Sequence, residues 1–338
     1  MELHQQVESL LAQSPRTRPR DAARQLGVSE AALVASAVGR TATRLRPAWT
    51  ELFRGFETLG EVMALTRNEA AVHERRGRYE RVQLPEGAPV GGAFGEEIDL
   101  RLFPRRWHTF FATERAGHRA IQLFDHQGEA VHKVHLGETS DLGAFEALVN
   151  SLRDPDQTPF WTPGPETFPA DPDDGALNAA TFCDAWAAMG DPHHLHGLLR
   201  AHRVSRRRAL QLIEGVHAHR LPTTVSGPLL QAAAEAQTPI MVFVGNPGCV
   251  QIHIGAVSRI KAVGEWMNVL DPRFNLHLRE DLVAEAWRVR KPSAEGWVHS
   301  VELLDHKGEV IVLFFGKRKP GILERSDWRD LLARLPTT

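Results

Sequence analysis

Three histidines fall within four residues in the stretch Asp191-Pro192-His193-His194-Leu195-His196-Gly197-Leu198-Leu199-Arg200. Imidazole is the commonest side-chain metal ligand, and a neutral ring keeps free the lone pair that a metal takes. Asp191 suits an N-cap and Pro192 the first helical position, which predicts a helix starting here with His193 in its first turn. His193 and His196, three residues apart, then share a face, whereas His194 points elsewhere. The helix dipole at that end disfavours a proton on the ring and leaves it ready to ligate. Zinc would want three or four protein ligands, and no well-spaced partner set is visible. A haem iron needs one axial imidazole, because the porphyrin supplies four nitrogens. On these residues alone, a ligand set and a solvated helix end remain equally open.

A second group sits in Ile98-Asp99-Leu100-Arg101-Leu102-Phe103, where a period of two places Asp99, Arg101 and Phe103 on one strand face and the leucines on the other. A guanidinium and an aromatic ring facing one cavity suit a flat, partly anionic ligand: the ring stacks, and the cation orders water or oxygen near a metal. The competing reading is an ordinary surface ion pair with Phe103 at the core edge. Arg206, Arg207 and Arg208 form a basic cluster one helix beyond the histidines, and Lys291 and Arg318 end or follow strands. Each can bind a carboxylate, or simply face solvent.

The elements that must position these groups come in two sets. The segment 154–175, rich in Pro, Asp and Gly, cannot continue a helix or enter a sheet, and reads as a linker between halves 1–153 and 176–338. The halves repeat. Val62-to-Val72 (VMALTRNEAAV) matches Ile240-to-Val250 (IMVFVGNPGCV) at an offset of 178, with Asn68 over Asn246. IDLRLF from Ile98 matches FNLHLR from Phe274 at offset 176, and FDHQGEAV from Phe124 matches LDHKGEVI from Leu304 at offset 180. Alternating runs predict strands at EVMALT, AAVHER, RYERVQL, IDLRLF, HRAIQLFD and EAVHKVHL in the first half. In the second they predict PIMVFVG, CVQIHIG, AVSRIKAV, FNLHL, VAEAWRVRK, WVHSVELLD and EVIVLFFG, and DHQG and DHKG read as hairpin turns. Helical runs RDAARQLGVSEAALVASAVG and HLHGLLRAHRVSRRRALQLIEGVHAH precede each block, aligned through Ser29 and Ser205. Each half is therefore helices followed by a meander, an α+β arrangement.

Several function classes fall away. The 338 residues carry 40 basic and 42 acidic side chains for a formal charge of -2, without the basic excess of a dedicated nucleic-acid binder. AARQLGVSEAAL imitates a DNA-reading helix pair with Gly27 at the turn and Ser29 as cap, but its counterpart LRAHRVSRRRAL lacks the glycine, and a structural helix pair is the reading adopted. No basic-then-apolar leader or run of eighteen apolar residues occurs, so a soluble, cytoplasmic protein without membrane insertion is expected. Cys183 and Cys249 read as packed thiols.

The long motifs GNPGCVQIHIG, NVLDPRFNLHLRE, AWRVRKPSAEGWVHSVELLDHKGEVIVLFFGKRKPG and AWAAMGDPHHLHGLLRAHRVSR, with IDLRLF, resemble the cytoplasmic haemin-degrading and haem-trafficking proteins of Gram-negative bacteria, the HemS, ChuS and PhuS group. The likeness spans nearly the whole chain and is strongest from Gly245 to Gly321. It implies a structural duplication of two similar halves, each a large antiparallel sheet with flanking helices, with a haem cleft between them. It also implies His193 as proximal iron ligand, Arg101 on the distal side, Phe103 close to the macrocycle, and Arg206, Lys291 and Arg318 at propionate-contacting positions. Val312 stands where some members have tyrosine, which implies one propionate contact fewer. The extra histidines resemble the trafficking type, with His196 as an alternative ligand during transfer. The implied activity is a reductant-dependent, haem oxygenase-like degradation; the alternative is a chaperone that takes haem from an inner-membrane importer and delivers it to a separate haem oxygenase.

Overall fold

The computed structural model describes residues 2–15, 17–165, 174, 177–319 and 321–336. Of the expected linker 154–175, residues 154–165 and 174 carry no helix or strand, and the rest lies outside the described residues. The chain forms two compact units. The first is Met1–Arg67, Glu74–Thr167 and Asn246–Gln251; the second is Asn68–His73, Phe168–Gly245 and Ile252–Thr338. Each half of the sequence thus gives six residues to the unit built mainly from the other half. An asparagine anchors each donated piece. Asn68 donates to Gly245 O (3.0 Å) and Ile311 O (2.8 Å) and accepts from the Ala70 and Ala71 amides. Asn246 donates to Arg67 O (2.9 Å) and Val131 O (2.8 Å) and accepts from the Gly248 and Cys249 amides.

In the first unit the antiparallel order is Ala42–Leu45, Trp107–Arg115, His118–Asp125, Ala130–Ser140 and Gly60–Arg67, and a second set runs Val82–Gln83, Gly91–Phe94 and Asp99–Leu102. The second unit repeats the scheme with Ala218–Leu221, Glu285–Ser293, Gly296–Leu304, Val310–Gly316 and Ile240–Asn246, and with Ile260–Val263, Trp266–Leu270 and Phe274–Arg279. The expected DHQG and DHKG hairpins form. Asp125 and Asp305 each accept two amides across the turn, and Gly128 (φ 81°) and Gly308 (φ 85°) take the left-handed conformation that a Cβ disfavours.

Each half is more than helices followed by a meander. A short edge strand and a further helix, Trp49–Phe56 or Ser226–Glu235, intervene before the strand that closes the far side of the three-stranded meander. The tail of the second helical run, Ala218 and His219, enters the edge strand Ala218–Leu221 instead. Helices therefore cover both faces of each five-stranded layer. In the first unit Ala22, Ala31 and Val34 pack on Phe111 and Phe124, while Phe53, Phe56, Phe145 and Leu148 pack on the opposite face. In the second unit Phe182, Trp186 and Leu210 pack on Trp287 and Val289, with Leu229, Leu230, Trp328 and Leu331 on the other side.

The helix pair Pro19–Leu26 and Glu30–Ala35 turns at Gly27 (φ 67°), and the Ser29 hydroxyl accepts from Ala32 N at 3.2 Å. Its second helix has Glu30, Ala31, Leu33, Val34 and Ala35 buried, so it has no face left for a DNA groove. Ser205 caps the counterpart helix Arg206–Leu212 in the same way, and Arg203 takes the left-handed turn position (φ 53°) without glycine. Cys249 is fully buried and its thiol is pushed up to about 12 by burial, and Cys183 is half-buried.

Candidate functional site

Asp191 adopts extended backbone, as an N-cap must, and its carboxylate accepts from the His193 amide at 2.7 Å. The first turn, Pro192–His194, is 3-10 rather than α, a common way to start a helix, and the α-helix Leu195–His202 follows. The same Asp191 oxygen lies 2.5 Å from Nδ1 of His193. A carboxylate can only accept here, so Nδ1 carries a proton, and in the neutral ring Nε2 keeps its lone pair. The imidazole is 85 % exposed. One nitrogen held by a carboxylate, with the other free and accessible, is the arrangement that orients a metal-binding histidine and strengthens it as a donor. It suits an iron that asks for one protein ligand.

His194 is exposed and lines a shallow, mainly apolar depression with Ala185, Met189 and Leu198. His196 is held below the ordinary imidazole value by desolvation and by the charges of Arg206, Arg200 and Lys291, which favours its neutral form. Among the described residues no three His, Cys, Asp or Glu side chains form a metal-binding group.

The structure brings Arg206 and Lys291 together on a residue that the sequence did not single out. Glu302, fully buried on Gly296–Leu304, accepts from Arg206 Nε at 2.9 Å and from Lys291 Nζ. Lys291 also donates to Ser300 Oγ at 2.9 Å, and its ammonium lies 5.3 Å from the Phe315 ring centroid. Solvation, the simpler expectation for Lys291, does not apply, because the residue is 2 % exposed. Burial alone would push the Glu302 carboxyl up, but the two cations overcome it and hold the group well below the usual range. Lys291 itself is lowered by burial, partly offset by Glu302. Two cations against one carboxylate leave this cluster one positive charge in excess, which attracts a further carboxylate. Arg318 stands apart, 3.6 Å from Glu295. Val312 is fully buried and belongs to the apolar cluster that holds Leu229, Phe314 and Leu331.

Arg101 and Phe103 belong to the first unit, and the expected alternation holds: Leu100 and Leu102 are fully buried while Asp99 and Arg101 face the other way. Arg101 ion-pairs with Asp99 and lies 4.9 Å from the Phe94 ring centroid. Burial pushes the Asp99 carboxyl up in spite of that partner. Phe103 is half-buried just past the strand, its amide on Gly248 O at 3.0 Å. Glu302 escaped notice because it occupies an alternating strand like its neighbours. The available signal was its repeat position, offset 180 from Gln122.

The sequence matches the haemin-degrading HemS/ChuX domain twice, over residues 27–152 and 203–335. The chain belongs to the HemS/ChuX family. This HemS/ChuX chain is 38 % identical to the hemin transport protein HmuS of Yersinia pestis, covering 98 % of its own length and 97 % of that relative. Holo-PhuS, a heme-binding protein from Pseudomonas aeruginosa, is similar in structure with a TM-score of 0.96 and 47 % identity over 100 % of this chain and 99 % of that one. ChuS, an E. coli heme oxygenase, gives a TM-score of 0.87 at 32 % identity over 99 % of both chains. The two HemS/ChuX matches coincide with the two halves of the internal repeat.

Proposed function

We propose that this chain is a cytoplasmic haem-binding protein of haem-iron acquisition that takes haem through His193 and degrades it oxidatively to release iron. The observation that carries the ligand assignment is the Asp191 carboxylate on Nδ1 of His193, which leaves an exposed Nε2 as electron-pair donor. Haem, as substrate, brings the iron at which dioxygen is reduced with electrons from an external donor while a meso carbon is oxidised. Arg101, which Asp99 orients, supplies the positive charge that stabilises developing negative charge on oxygen, and Phe103 packs against the macrocycle. Arg206 and Arg318 take propionates, and Lys291 acts through Glu302 by fixing Arg206 and supplying the excess charge. Family membership and the similarity to a heme oxygenase support this reading.

A second reading, a carrier that receives haem from an inner-membrane importer and passes it to a separate haem oxygenase, draws on the exposed His194 and His196 beside His193, which offer successive ligands. Single-turnover spectra with a reductant and catalase present separate the two. Loss of the Soret band is expected, and a band stable over many minutes leaves only the carrier. For ligation, His193→Ala is expected to alter the haem spectrum far more than His194→Ala; equal spectra refute the assignment.

A further inference from the structure

On the second unit, lined by none of the residues assigned to haem, the sheet carries a cavity of about 420 Å³ whose lining includes His217, His219, Arg288, Arg290, His299 and Arg329. The strand Glu285–Ser293 alternates, so Lys291 points to the face bearing Glu302 while Arg288 and Arg290 point to the opposite one. Cross-strand pairing assembles the cavity wall, with His219 opposite Arg288 and His299 opposite Arg290. The helix Ser326–Ala333 adds Arg329. Three guanidiniums thus surround one space whose lining includes no carboxylate.

Their existing partners do not neutralise them. Arg288 donates to the Leu332 carbonyl at 3.3 Å, and Arg290 Nε donates to His217 Nδ1 at 3.2 Å, which leaves the proton of that imidazole on Nε2 as a donor. Arg329, exposed, makes no side-chain hydrogen bond or ion pair among the described residues. Of the nearby carboxylates, Glu324 is taken up by the amide and Nδ1 of His299, both at 2.6 Å, and Glu214, whose charge reaches His219, pairs with Arg220 at 2.9 Å. Burial and the neighbouring arginines keep His217 and His219 below the ordinary imidazole value, so these rings contribute N–H donors and not further charge.

We propose that this cavity binds a small, multiply charged phosphoryl anion. A single carboxylate would satisfy one guanidinium and leave the others facing each other, whereas a phosphoryl group carries more charge and several acceptor oxygens that match the planar forks. The space greatly exceeds the roughly 30 Å³ that one water takes up, so more than one phosphoryl group fits.

Titration calorimetry of inorganic pyrophosphate into the haem-free full-length protein, at fixed ionic strength in chloride buffer, tests this. One saturable site is expected. Arg329→Glu, a change at an exposed residue, is expected to weaken it by roughly tenfold or more, the scale of one lost charge-assisted hydrogen bond. His193→Ala is expected to leave pyrophosphate affinity unchanged. The proposal fails if no saturable binding appears up to millimolar pyrophosphate, or if Arg329→Glu binds like wild type. It also fails if citrate binds as tightly, or if His193→Ala lowers the affinity. None of these outcomes depends on whether the protein degrades haem.

Discussion

At equivalent places in the repeat the two units carry opposite chemistry on one backbone plan. The residue after the capping serine is Glu30 in the first unit and Arg206 in the second. Glu30 pairs with Lys133 and the charges balance; Arg206 shares Glu302 with Lys291 and one positive charge remains. The strand position opposite Leu123 is His132, and the one opposite Leu303 is Val312. His132 is buried between Thr66 Oγ1 (2.8 Å) and Tyr79 Oη (2.6 Å), whereas Val312 is plain core. Duplication preserved caps, turns and register, because those fix the fold. It left the buried polar groups free to diverge, and those of the second unit carry one positive charge more than their carboxylate balances.

The largest effect that would sharpen this contrast comes from Glu302→Gln, which strands two buried cations and is expected to cost about 3–5 kcal/mol in urea unfolding. Glu30→Gln strands only Lys133, so its loss should be smaller. Equal losses would show that the two clusters are energetically alike. The next effect is in acid. His132 is held down at about 3 by burial, so the unfolded chain takes up a proton below about 6.5 that the folded chain refuses. The resulting stability is whole above pH 6.5 and drains away as pH falls towards 3. His132→Val, the second unit's residue, should move the acid transition to lower pH, seen by circular dichroism. At neutral pH it should cost about 1–3 kcal/mol by leaving the Tyr79 hydroxyl without its partner. The smallest effect lies at the helix turns. Arg203→Gly relieves a left-handed non-glycine residue and should stabilise by up to about 1 kcal/mol, while Gly27→Ala should destabilise by a similar amount in the same melt.

Sequence legibility followed the same divide. The hairpin turns, the Ser29 and Ser205 caps and the long alternating strands were readable because each rests on a local rule. RYERVQL shrinks to Val82–Gln83 because Arg81 takes a positive φ (51°) and Tyr79 turns inward to His132. The edge strands Ala42–Leu45 and Ala218–Leu221 are four residues each, too short for a period to show. The helix Ser226–Glu235 is legible in SGPLLQAAAE, whose leucines and alanines favour a helix. At the site, the Asp191 cap over His193 was legible, since capping is local. The Arg206–Glu302–Lys291 cluster was not, because it joins a helix to two strands and burial alone gives it meaning.

The exchange anchored by Asn68 and Asn246 bears on how the molecule comes to be folded at all. Residues 246–251 leave the ribosome long after the unit that needs them has otherwise been made, and closing contacts across some 178 positions is slow. Neither half of the gene therefore encodes a finished unit. A fragment ending at residue 165 should be poorly cooperative in thermal melts, and adding the remaining half in trans should restore a single sharp transition.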